Sequence, residues 1–329
     1  MQQNEIRDGK DAGIHLDDGA AGAIEENSIS GNEGAGLWIT GPVSTVLRTN
    51  HIHDGRNVGV YVVGAAVATL EGNEIFGHEG AGVWIEQGGA PTLVQNAIHD
   101  NRTGGVVVTN AGRGTIDDNQ IYRNTGAGVT LSAGGDAIVT RNGIHSGDGA
   151  GILVVEGGLG SIEGNDIASN GSDGVTIASE SAPKIAENTI RENGDTGISV
   201  MQGGQGEIVG NAVFGNRRAG IWIQGGGNPT VVSNTIRDHE GHGIVVAEDG
   251  FGTLYNNQVF RNGGAGLVIA AGARPVVQGN LIIRNVGVGV AVDTTEAQVA
   301  DNVLTENGSG PLVATDEMLA AAYLAFNTA

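Results

Sequence analysis

The chain has 329 residues, 39% of them apolar, with 59 glycines and no cysteine. Sixteen basic against 37 acidic residues leave a formal charge of −21, which repels phosphate backbones and anionic bilayers, so neither nucleic acid nor a membrane is an expected partner. The glycines follow no collagen triplet, no apolar run reaches membrane-spanning length, and thiol chemistry is excluded.

Asn4 opens a pattern with a strict 23-residue period. Asn27, Asn50, Asn73, Asn96, Asn119, Asn142, Asn165, Asn188, Asn211, Asn234, Asn257 and Asn280 follow without a slip, and Asn302 comes one residue early. With this asparagine as position zero, position +2 is Ile or Val from Ile6 to Ile282, and position +9 is glycine from Gly13 to Gly289. Positions +10 and +12 are apolar, as in Ile14 and Leu16 or Ile221 and Ile223, and so is the residue three before each asparagine, such as Ile24, Leu93, Val139 and Leu254. Short alternating segments rich in β-branched residues, separated by Gly, Asn and Asp, are strand chemistry. A unit this small buries its apolar face only by stacking on its neighbours.

The repeat therefore predicts an all-β chain. The expected fold is a single-domain, right-handed, three-faced parallel β-helix of about fourteen coils over residues 1–314, followed by a capping helix and tail over 315–329. The ladder asparagines are expected to take the left-handed conformation at a sharp bend and to stack their amides about 4.8 Å apart. Glycine at +9 is expected where a side chain would strike the turn. Position +18 alternates between proline (Pro91, Pro183, Pro229, Pro275) and glycine (Gly22, Gly114, Gly160, Gly206, Gly252), so the unit of duplication is a 46-residue double coil. At position +3, His53, Phe76, His99, Tyr122 and His145 predict a structural stack of rings beside a turn.

The segments NEIFGHEGAGVWIE (73–86), NAIHD (96–100), GRGTIDDN (112–119) and NAVFGNRRAGIWI (211–223) resemble right-handed β-helix repeat proteins of the carbohydrate-binding and sugar-hydrolysis type, and among them the β-helical region of F-box only protein 11 and its bacterial relatives. The resemblance runs through nearly every coil. It implies a recognition surface for a protein or a polysaccharide, while the chain shows neither an F-box segment nor a zinc-finger pattern. More distant kin of this fold include pectin and alginate lyases, epimerases and polygalacturonases.

If +10 and +12 face inward, +11 and +13 face outward. His15, Trp38, Tyr61 and Trp84 then form a row on four successive coils, flanked by Asp17 and Glu86, and all three tryptophans of the chain, with Trp222, fall in this one column. Such a row suits a sugar chain or an extended peptide, and these six residues are the candidate ligand site. A second polar cluster, Asp238, His239, Glu240 and His242, breaks the pattern of one turn, and its Gly-His-Gly triplet is similar to that of polygalacturonases. The neighbouring coils offer Ser199, Met201, Trp222 and Gln224 where paired acids would be needed, so no catalytic residue is assigned. No metal and no cofactor is expected. His51, His53, Asp54 and His78 are a weaker group split over two faces.

The expected function is a non-catalytic scaffold that binds a protein or glycan along the aromatic column. The alternatives are a carbohydrate-active enzyme using His15, Tyr61 and the His239–His242 turn, and a spacer that assembles end to end. At the C-terminus, Thr315 is expected as the helix N-cap, with Met318, Leu319, Ala322, Tyr323 and Phe326 covering the last coil. At the other end the chain opens in mid-coil on a ladder asparagine, which leaves a homodimer through the N-terminal coil open, and Met1-Gln2-Gln3-Asn4 reads as no signal peptide. The compartment is not legible.

Overall fold

A computed structural model describes residues 1–329. The chain is an all-β solenoid of parallel strands in three sheets, with one short helix, Glu317–Leu324. It divides into two compact units, Met1–Asn170 and Gly171–Ala329.

In the first unit each coil supplies three short strands, as in Glu74–Phe76, Ala81–Ile85 and Thr92–Val94. Each pairs in parallel with the strand one coil away and in strict register: Ile75 lies beside Ile52 and Ile98, Val83 beside Val60 and Val106, and Leu93 beside Leu70 and Ile116. The stacked side chains Ile29, Ile52, Ile75, Ile98, Ile121 and Ile144 are all fully buried. At about 1.5–3 kcal/mol per buried aliphatic side chain, these columns are the main drive for coiling. The second unit repeats the arrangement with Thr189–Arg191, Ile198–Val200 and Glu207–Val209 and their successors.

The asparagine ladder lies inside a corner. Within the first unit the side-chain oxygen of each asparagine accepts from both the backbone N–H and the amide of the asparagine one coil earlier, at 2.9–3.0 Å from Asn27 to Asn142. The left-handed residue is not the asparagine but the one before it: Glu26, Thr49, Gln95, Asp118 and Arg141 have φ of 52–55°. A non-glycine residue pays about 1–2 kcal/mol for that conformation, and the buried amide ladder behind it offsets the cost.

A second ladder runs five residues further on, through Asn101 and Asn124 in the first unit and Asn193, Asn216, Asn262, Asn285 and Asn307 in the second. It too follows left-handed residues, such as Asp100, Arg123, Glu192 and Arg261. Two corners of each coil are thus built alike.

The glycine column at +9 is required by close approach to the next coil. A Cβ on Gly105 would lie 2.5 Å from the carbonyl oxygen of Gly128 and 2.5 Å from a methyl of Ile121. The rings at +3 stack face to face: His53–Phe76, Phe76–His99, His99–Tyr122 and Tyr122–His145 have centroids 4.6–5.4 Å apart and planes within 15°.

The C-terminal helix differs from expectation. Its N-cap is Asp316, whose carboxylate accepts from Met318 N at 2.6 Å and Leu319 N at 3.4 Å, while the Thr315 hydroxyl donates to Asp293 instead. Of the five residues expected to cover the last coil, only Tyr323 is buried, its hydroxyl donating to Ala297 O at 2.9 Å. Met318 and Phe326 face solvent. Asn327, beyond the helix, ends the first ladder by accepting from Asn302.

Candidate functional site

The second strand of each coil alternates inward and outward, so Leu37 and Ile39 are buried and Trp38 between them is exposed. The same alternation carries Tyr61 and Trp84 to the outer face in register, with Trp38 beside Tyr61 and Tyr61 beside Trp84. His15 stands next to Trp38, ring centroids 5.5 Å apart and tilted by 43°, and Trp38 meets Tyr61 edge-on at 5.4 Å.

Trp38, Tyr61, Trp84 and Glu86 line one groove of about 460 Å³, together with Asp11, Asn57 and the small residues Gly34, Ala35 and Val58. These further lining residues come from the turns that precede the strands, and they were not anticipated. Their signal was the change at position +7 from Asp11 to Gly34 to Asn57, polar or small beside large rings. Asp11 and Asn57 each accept from the backbone N–H of the following residue at 2.9 Å, which fixes the turn. Of the candidate ligand residues, His15 extends the row beyond the groove lining, and Asp17 is exposed and lies outside it.

Glu86 is the polar centre of the groove. The Tyr61 hydroxyl donates to its Oε1, and its Oε2 accepts from the Trp84 indole N–H and from Asn110 Nδ2, both at 3.2 Å. Burial works to raise the Glu86 carboxyl, but these donors together hold it below its usual range. Tyr61 is pushed up to about 12, by burial first and then by its hydrogen bond to Glu86. At neutral pH the phenol is protonated and the carboxylate ionised.

The second polar cluster does not come together. His239 is buried inside the corner, not exposed on a turn: it occupies an asparagine position of the second ladder, and its Nδ1 accepts from Asn216 N at 3.0 Å. His78 does the same in the first unit, with Nδ1 accepting from Gly55 N at 3.2 Å and Nε2 donating to Ile52 O at 3.0 Å. In His239 the corresponding Nε2 has Val213 O as its neighbour but makes no hydrogen bond. Burial drives both imidazoles down to about 4, so both are neutral at physiological pH. Asp238 is clamped by Arg261, at 2.7 and 2.8 Å, and by Arg237, which hold it at about 2. His242 accepts from Ala265 N at 3.0 Å, and Glu240 points to solvent. These side chains serve the backbone and one another.

Trp222 repeats the geometry of Trp84 in the second unit. Its indole donates to Gln224 at 3.0 Å, and the Arg218 guanidinium lies 3.8 Å over its ring.

Comparison with known proteins bears on this arrangement. The family model of the right handed beta helix region matches residues 1–144, 128–274 and 220–322, and the chain belongs to that family. Among solved structures, a variant of the periplasmic alginate epimerase AlgG superposes with a TM-score of 0.52 at 15% identity, over 89% of this chain and 72% of that one. The Dettilon tailspike protein gives 0.52 at 16% identity, over 82% and 62%. No curated protein sequence matches. At these identities the likeness is one of fold. No helix is long and apolar enough to cross a membrane.

Proposed function

We propose that the chain is a glycan-recognition module that binds an extended oligosaccharide in the groove of Trp38, Tyr61, Trp84 and Glu86. The groove carries this reading. Three rings on successive coils offer apolar faces for sugar C–H surfaces, and Glu86, Asp11 and Asn57 supply acceptors and donors for hydroxyls. The fold shared with an alginate epimerase and a tailspike protein supports a polysaccharide over a protein as the ligand.

A carbohydrate-active enzyme is the second reading, and Tyr61 with Glu86 is the pair that favours it. The protonation of that pair argues for binding instead. A phenol held near 12 and a carboxylate held below its usual range are both far from neutral, where a proton-transfer catalyst works best. An array of neutral, acidic and amino oligosaccharides tests the reading, with the Trp38→Ala, Trp84→Ala double variant on the same array. Saturable binding lost in the double variant is expected. Chain cleavage or epimerised products after incubation would replace the recognition module with an enzyme.

A further inference from the structure

The charge of the groove narrows the ligand class. Glu86 is satisfied only by neutral donors, Tyr61, Trp84, Gln87 and Asn110, so its hydrogen bonds are made while its negative charge stays uncompensated. Asp11, also in the groove lining, accepts a backbone N–H and has no cationic partner, and no Lys, Arg or His lines the groove. Elsewhere some acids are paired: Asp100 with Arg123, Asp117 with Arg141, and Glu71 and Glu25 with Arg48. With 37 acidic against 16 basic residues most carboxylates of the chain lack a cation; what sets these two apart is that both line a groove beside three aromatic rings. A polyuronate would bring like charges against Glu86 and Asp11 and find nothing to neutralise them. An ammonium group gains twice, from the carboxylates and from the negative faces of the rings.

We infer that the groove selects a glycan bearing ammonium groups, a glucosamine-type polymer, and rejects polyuronates. The inference rests on the glycan-binding reading and adds the sign of the ligand's charge. Glucosamine oligomers seat an amine between Trp38 and Trp84, facing Glu86. Affinity falls with added salt and as pH rises through the amine's own pKa.

Calorimetric titration with glucosamine oligomers, their fully N-acetylated counterparts and oligouronates tests this, with Glu86→Gln as the charge-removing variant. The glucosamine oligomer is expected to bind roughly three- to thirtyfold more tightly than the acetylated one, to lose about that factor in Glu86→Gln, and to outcompete the oligouronate, which does not bind. Equal affinity for the acetylated oligomer, or binding of the oligouronate, overturns the inference and leaves glycan recognition standing. Silence from every sugar overturns both. Binding of a lysine-rich peptide in place of any sugar keeps the cation preference but replaces the glycan with a protein. The ligand series on the wild type alone decides the matter if Glu86→Gln fails to fold.

Discussion

The side-chain oxygen of Asn119 accepts two hydrogen bonds from Asn96, one from its backbone N–H and one from its amide, both at 2.9 Å. The Asn119 amide in turn donates to Leu93 O and to Asn142 Oδ1, both at 3.0 Å. One residue thus ties three successive coils at a corner with no water access. Asn119→Ala orphans the buried backbone N–H of Asn96 and removes one acceptor of its amide, which keeps Leu70 O and Val94 O, so a loss of about 1–3 kcal/mol is expected in denaturant unfolding. Asn119→Asp restores the acceptor but not the donor, so it is predicted to recover only part of the loss.

His78 and His239 make stability depend on pH. Each has a folded pKa of about 4 against an ordinary 6.5, so the unfolded chain takes up protons that the folded chain refuses. Their contribution is complete above 6.5 and is lost as pH falls toward 4, by about 3 kcal/mol per site. Asparagine is the ladder's own residue at this position. The double variant His78→Asn, His239→Asn is predicted to flatten the unfolding midpoint over that window, and an unchanged slope would rule out the buried imidazoles as its source. Asp100 and Asp238, held near 2, lose their contribution only below the ordinary carboxylate range, so the two processes separate.

Gly105 tests the close approach of the coils. Alanine there puts a methyl 2.5 Å from Gly128 O and is expected to cost about 1–3 kcal/mol. Gly134, with φ of 71° and no neighbour within 4 Å, is the control: alanine there costs about 1 kcal/mol from backbone strain alone. Thermal unfolding of the two variants should rank them in that order.

Tyr61 should titrate late. Its phenol is predicted to ionise near 12, seen as a high-pH component in the ultraviolet absorbance titration that Tyr61→Phe removes. The same variant returns the Glu86 carboxyl upward, toward its usual range. A Tyr61 ionising near its ordinary value would mean that its bond to Glu86 is absent in solution.

The columns were legible because each coil repeats the same physical problem. Ile or Val at +2 and Gly at +9 recur without exception from the first to the thirteenth coil, so strands, sheets and register follow from spacing alone. What spacing does not carry is which backbone bends: Asn and its predecessor are adjacent, and only the φ of Glu26 or Gln95 shows that the preceding residue turns the corner. The second ladder was hidden by its replacements, Gly9, Gly55 and Gly147 at three coils and His78 and His239 at two others. For the same reason His239 read as a surface histidine when it is an asparagine surrogate. In the groove the rings on one face of a sheet announced themselves, whereas Asp11 and Asn57 lie on turns whose side is set by the coil geometry. The helix failed differently, because Thr315 and Asp316 are both good caps and contact with Asp293 decides between them.

Glycan recognition in the groove is tested most directly by calorimetric titration of the wild type and of the Trp38→Ala, Trp84→Ala variant with glucosamine, N-acetylglucosamine and uronate oligomers. Saturable binding to the wild type is expected, strongest for the glucosamine oligomer and abolished in the double variant while circular dichroism shows the fold retained. Binding of equal strength in the double variant, or none in the wild type, would contradict it.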